Sequence, residues 1–180
     1  SVLLQETPWV LDAQDETQRK RNIGLLFDLN RMSNEMQAAI TKLEKEQSAN
    51  GGWPWFPGMP ESRYITQHII SGFGHLQKLK VVDYNNDDKL KKMVENGIDY
   101  LDKRIKDDYD YLLKYYKKEE LQKKMINSEQ IQYLYARSFY NEIPVSSRCK
   151  TAFDYFKGQA EKYWLQENKY MQGMLALGLN

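Results

Sequence analysis

Cysteine occurs once in the 180 residues, at Cys149, so no intramolecular disulfide can form and the disulfide-stapled class of small secreted domains is excluded. Histidine occurs twice, at His68 and His75, which leaves few candidates for metal ligation or proton transfer. An excess of one charge is also missing. Twenty-six Lys and Arg face 25 Asp and Glu for a formal charge of +1, so no basic footprint draws in nucleic acid or an anionic membrane. No apolar run approaches the roughly 20 residues a bilayer span needs, and no signal-peptide pattern follows Ser1. The expectation is a piece of a larger protein without a membrane span of its own. Val, Ile and Thr together number only 21. What is abundant instead is Lys, Glu, Gln, Leu and Met, which keep rotamer freedom in a helix. With 41% hydrophobic residues the chain can bury a core, and the reading is one all-α domain over residues 1–180.

Apolar residues at three- and four-residue spacings mark the helices. The clearest stripe is Leu90, Met93, Val94, Gly97, Ile98, Leu101 and Ile105. Upstream, Ile23, Leu26, Phe27 and Asn30 and then Met32, Met36, Ala39, Ile40 and Leu43 fit either two helices broken near Ser33 or one bent helix. Ile65, Ile69, Phe73 and Leu76 mark the next. Ile131, Leu134, Tyr135, Ser138 and Phe139 mark another, with Asn127 and Gln130 spaced for a reciprocal N-terminal cap. Phe153, Phe156, Ala160, Tyr163 and Trp164 form one closing stripe and Tyr170, Met174 and Leu177 a second, joined through residues 165–168. From Tyr109 to Met125 the pattern weakens, and irregular or broken helix is expected. Short links between these segments predict antiparallel helical hairpins.

One stretch departs from this pattern. QSANGGWPWFPGMP, residues 47–60, holds two of the four Trp and three of the five Pro. Pro removes backbone donors and Gly relaxes φ, so a structured loop is expected. Within it, Gln47, Gly51 and Trp53 read Gln-x-x-x-Gly-x-Trp, with Gly52 completing a Gly pair. A Gln in the last helical turn can bond orphan carbonyls and amides at neighbouring helix ends, while the Gly pair turns the chain and the Trp ring lies over the Gln side chain. The result is a clip between successive hairpins. β-structure at Gln47 or Trp53, or helices stacked flat with the Trp53 indole loose in solvent, would break that reading.

The clip resembles that of α/α toroids, the rings of paired helices found in triterpene cyclases, prenyltransferases and the thioester domains of alpha-2-macroglobulin and complement proteins. By itself it points to a fold and not to an activity. LLQETPWVLDAQDETQ (3–18), LFDLNRM (26–32) and residues 42–76 together resemble the bacterial alpha-2-macroglobulin family, in the large forms of Bacteroidetes-type bacteria. The likeness covers about the first 80 residues closely and the rest by helical character only. It implies part of an α/α toroid in a large periplasmic or cell-envelope protein that traps endopeptidases and, in many members, links to them through an internal thioester. Proteases and other domains of the same protein would be its partners. No cofactor is implied, and the chain is not read as an enzyme. The thioester needs Cys-x-Glu-Gln, because the thiol acylates on the Gln side chain across a tight turn. Cys149 is followed by Lys150, Thr151 and Ala152, so it is not that cysteine. Family order puts the element upstream of Glu6-Thr7-Pro8-Trp9, before Ser1.

Sharper readings compete with plainer ones. His68 and His75 stand seven apart, where two ligands on one helix usually stand four apart, so no metal site is expected. In complement-type relatives a His takes the acyl group from the thioester, which would cast His68 as acyl acceptor; a packing or surface role is the plainer reading. Trp53, Trp55 and Phe56 could form an interaction surface for sugar or peptide, though core packing at the junction is favoured. Asp87-Asp88 reads as a helix N-terminus, and Asp107-Asp108-Tyr109-Asp110 as a solvated helix end. Cys149, between Arg148 and Lys150, reads as an inert thiol. Eight Tyr from Tyr100 to Tyr140 read as half-buried helix residues. An open part of a ring would leave apolar helix flanks uncovered, so the isolated piece is expected either to pair with a second copy or to be marginal in solution. The alternative reading is an α/α toroid enzyme acting on a polysaccharide or isoprenoid, which needs carboxylates such as Asp28, Glu35 and Glu61 converging in a deep pocket. A plain interaction module using the aromatic loop is the third.

Overall fold

The structure, a computed structural model, describes residues 16–179. The quoted segment 3–18 therefore lies almost wholly outside the described residues. The protein is all-α, 73% helix with a single two-stranded ladder among the described residues. Contacts divide the chain into two units, Ser1–Lys45 and Glu46–Asn180.

Helix α1, Glu16–Glu46, makes up all that is described of the first unit. It runs unbroken through Ser33, which decides between the two readings of its stripes. Pro is absent from it, and Lys20–Glu16 and Arg31–Glu35 pairs at i,i+4 support its exposed face. None of its residues is buried.

The second unit opens with a loop whose neck is a ladder of two residues each, β1 (Trp53–Pro54) and β2 (Glu61–Ser62), antiparallel with Trp53 opposite Ser62. Five helices follow: α2 (Arg63–Lys78), α3 (Asp88–Tyr115), α4 (Ser128–Ser138), α5 (Ser147–Tyr163) and α6 (Lys169–Gly178). Their starts are chemical. The Ser62 hydroxyl accepts from Ile65 N–H, Asp87 from Lys89 and Leu90, and Asn168 from Met171. Asn127 and Gln130 form the reciprocal cap that their spacing predicts, and Asp87-Asp88 is the predicted N-terminus.

Side-chain pairs give the helix directions. Arg63 meets Asp108 and Ile70 meets Gly97, so α2 and α3 run antiparallel. Asp108 meets Gln130 while Asp102 meets Tyr133 and Arg137, so α3 and α4 do too. Gln67 reaches Glu129 and His75 reaches Tyr135, so α2 and α4 advance together. Helices α2 and α4 thus share a direction; α4 lies against both α2 and α6, and α3 against α5. These are antiparallel hairpins stacked side by side.

The predicted α3 stripe is buried along its whole length. Elsewhere the packing corrects the pattern. On α2 the buried arc is Thr66, Gln67, Ile70, Phe73 and Gly74, one step round from the predicted Ile65, Ile69 and Leu76, because the helix faces both α3 and α4. On α6, Met171 and Leu175 are buried in place of Tyr170 and Leu177, which stay exposed. Asp107 to Asp110 lie inside α3 and not at a helix end. Asp108 accepts from Arg63 Nη1 at 2.6 Å and from Gln130 Nε2 at 2.7 Å, while Asp107 and Asp110 pair with Arg104 and Lys106. The weak pattern from Tyr109 onward does not break the helix before Tyr115. The irregular part is 116–127, held from outside by Gln159: its Oε1 accepts from Met125 N–H at 2.8 Å and its Nε2 donates to the carbonyls of Leu121 and Lys123.

At the centre a buried carboxylate faces a buried guanidinium. Asp102 Oδ1 accepts from the Tyr133 hydroxyl at 2.7 Å and from Arg137 Nε at 3.2 Å, and the two Nη atoms of Arg137 close on the carbonyls of Tyr140 and Ile143. Burial pushes the Asp102 carboxyl up, against the opposing pull of Arg137 and Tyr133. Tyr100, Tyr133 and Tyr140 are core residues, whereas Tyr111 and Tyr115 are mostly exposed, so the tyrosine-rich stretch is not uniformly half-buried. Cys149 is a buried free thiol.

Candidate functional site

The clip is a tight turn wired to α3. Gly51 N–H donates to Ser48 C=O and Ser48 N–H to Gly52 C=O, each at 2.9 Å, closing the turn on itself. Gln47 Nε2 donates to the carbonyl of Gly51 and, at the same 2.9 Å, to that of Met93 on α3. One carboxamide therefore ties the loop to a helix 46 residues away. Gly51 has φ +93°, and a Cβ there would sit 2.1 Å from the Asn96 carbonyl oxygen, so only Gly fits. A Cβ on Gly52 would meet Glu61 and the Tyr100 ring. Glu61, which the sequence reading put in a different role, belongs to this turn. A backbone N–H and the side chains of Ser48 and Asn50 hold its carboxyl below the usual carboxylate range.

Trp53 is 1% exposed. Its backbone N–H donates to Thr66 Oγ1 at 2.9 Å, and that hydroxyl donates in turn to Ser62 C=O. The indole lies against Gly97, where a Cβ would come within 2.9 Å of Cζ3 and 2.6 Å of Ile70 Cδ1. The ladder puts β-structure at Trp53 itself, the Trp end of the clip, where none was expected and where the clip reading excluded it. It follows the Ser48–Gly52 turn and leaves Gln47 and the Gly pair outside it.

Beyond Trp53 the packing stops. Trp55 and Phe56 are 56% and 66% exposed, which corrects the core-packing reading of these two rings. Trp55 stacks on Tyr64, centroids 5.7 Å apart, and Tyr64 on His68 at 6.4 Å, so a row of rings runs from the loop along α2. His68 is a surface residue in that row.

The row leads into a groove of about 600 Å³ over α4. Its α2 wall carries Tyr64, Gln67, His68, Ser71, Gly72 and His75. Gln132 and Tyr135 come from α4, with the Tyr135 hydroxyl 2.9 Å from His75 Nε2. Lys169, Tyr170, Gly173, Met174 and Leu177 form the α6 wall. The residues expected as the core stripe of the last helix thus face this groove. No carboxylate lines it. Gln67 is 2% exposed, donates to Glu129 C=O at 2.7 Å, and its Oε1 has no donor among the described residues.

Sequence reasoning named Trp55 and His68 but missed Tyr64, Gln67, Tyr135 and Tyr170. Among the described residues no cluster of three or more His, Cys, Asp or Glu could hold a metal ion, and no helix is long and apolar enough to cross a membrane.

The class these features define is an all-α protein of stacked antiparallel hairpins with a Gln–Trp clip. Compared with protein-family profiles, with characterised proteins and with solved structures, the chain gives no significant match.

Proposed function

We propose that the chain is a scaffold portion of the thioester-type domain of a bacterial alpha-2-macroglobulin, a non-catalytic trap for endopeptidases in the cell envelope. The supporting observation is the clip. Gln47 bridges the turn and α3, and the buried Trp53 fills the junction of α2 and α3, the arrangement that the resemblance implies for successive hairpins of an α/α toroid. Helices α2 and α4 running in one direction, with α3 against both, suit the same ring. In such a protein this segment shapes and shields, and the protease chemistry lies elsewhere in the chain.

The toroid-enzyme alternative needs carboxylates converging in a pocket. The groove has none, Glu35 is an exposed partner of Arg31, and Glu61 is held ionised in the turn, which is the wrong state for a general acid. No observation favours it.

The test uses the natural full-length protein and an endopeptidase. Trapping predicts that the protease keeps its activity on a small chromogenic peptide while losing it on a large protein substrate. A Gln47→Ala, Trp53→Ala variant should release that block. Unchanged digestion of the large substrate in the presence of intact wild-type protein, or turnover of a polysaccharide by it, would overturn the proposal.

A further inference from the structure

We infer that the groove over α4 is a binding site for a short acidic oligosaccharide. Four features of its lining carry this, and none depends on the protease-trap reading. The first is rings on opposite walls: Tyr64 from α2 and Tyr170 from α6, half or more exposed, offer flat faces to the apolar side of a pyranose. The second is the kind of polar group. Gln132 and Ser71 present an amide and a hydroxyl, which pair with sugar hydroxyls.

The third is charge. Lys169, the first residue of α6, is the one formal cation of the lining, and no Asp or Glu accompanies it. A neutral sugar leaves that imbalance unused, while a uronate carboxylate matches it. The fourth is bare backbone. A Cβ on Gly72 or Gly173 would meet nothing within 4 Å, so both walls stay open to a bulky ring system. The size, about 600 Å³, suits a ligand of about two or three sugar units.

A peptide fits less well. An extended strand takes its affinity from a free sheet edge, and the groove walls are helices whose backbone groups bond internally. A helical peptide brings an apolar stripe, which would strand Gln132 and Lys169 without partners.

The 180-residue chain titrated with trigalacturonate, followed by calorimetry and by amide chemical shifts, tests the inference. Saturable binding is expected, with shifts on α2 and α6 facing the groove. The methyl-esterified trisaccharide, equal in shape but uncharged, should bind about threefold or more weakly, and Lys169→Met should erase that preference. Tyr64→Ala and Tyr170→Ala should each weaken binding by about fivefold. Both rings are exposed, and circular dichroism of each variant checks that the fold is kept. Absence of binding at millimolar trisaccharide, shifts confined to other surfaces, equal affinity for acid and ester, or displacement by an acidic tyrosine-containing peptide of equal affinity would each overturn it.

Discussion

Glycine serves opposite ends on the two sides of helix α2, on the facing helix α3 in one case and on α2 itself in the other. Toward α3, Gly97 lets the Trp53 indole and Ile70 approach the backbone, and a Cβ would sit 2.6 Å from Ile70 Cδ1. Toward the groove, Gly72 meets nothing. One side is a seam closed to van der Waals contact and the other is a wall kept open. The same residue type therefore marks maximum packing in one place and none in the other, and only the neighbour across the gap tells which.

Truncation at the seam should have the largest effect. Trp53→Ala removes a fully buried indole from between α2 and α3 and is expected to cost about 3–5 kcal/mol in denaturant unfolding. A loss below about 1 kcal/mol would mean that the seam is not the joint described. Next come the seam glycines. Gly51→Ala places a methyl against the Asn96 carbonyl at positive φ, and Gly97→Ala presses on Trp53; each should cost about 1–3 kcal/mol. Gly51→Ala should be the worse, since a backbone carbonyl yields less than the tip of Ile70.

The groove glycines reverse the sign. Gly72→Ala and Gly173→Ala fill open space on helices, so each should raise stability by up to about 1 kcal/mol. A destabilising Gly72→Ala would show that the wall is not open and would break the comparison. The smallest effect sits at the turn. The folded-state pKa of Glu61 is lowered, so its contribution is present above the usual value of 4.5 and is lost as pH falls through the lowered value. Glu61→Gln should therefore lower the melting temperature slightly at neutral pH and flatten its fall between pH 4.5 and the acid limit. An unchanged acid limb would remove Glu61 from the clip.

Much of the fold was legible because a helix writes its own period. The α3 stripe, the caps at Asp87 and Asn127 and the turn at the Gly pair all depend on neighbours within a few positions, which a sequence displays. Coverage is not local. The period of Tyr170, Met174 and Leu177 says correctly that they share a face, but whether that face is covered depends on α2 and α4. Asp108 read as solvated because its partner Arg63 stands 45 residues away. The groove suffered most, since its residues come from three helices, each contributing side chains that are ordinary where they stand. Gln47 escaped this limit only because its local partner, Gly51, sits in the same short motif as its distant one is reached.

Gln159 gives the irregular segment after α3 an unusual dynamic status. A stretch without regular helix would be expected to open by itself on the fast end of local unfolding. Here three of its main-chain groups are clamped by one carboxamide on α5, and the hydroxyls of Tyr155 and Tyr163 hold the carbonyls of Leu121 and Gln122. Segment and helix should behave as one cooperative foldon, so the Met125 amide should exchange with deuterium at the pace of the α5 core and not at that of a loop.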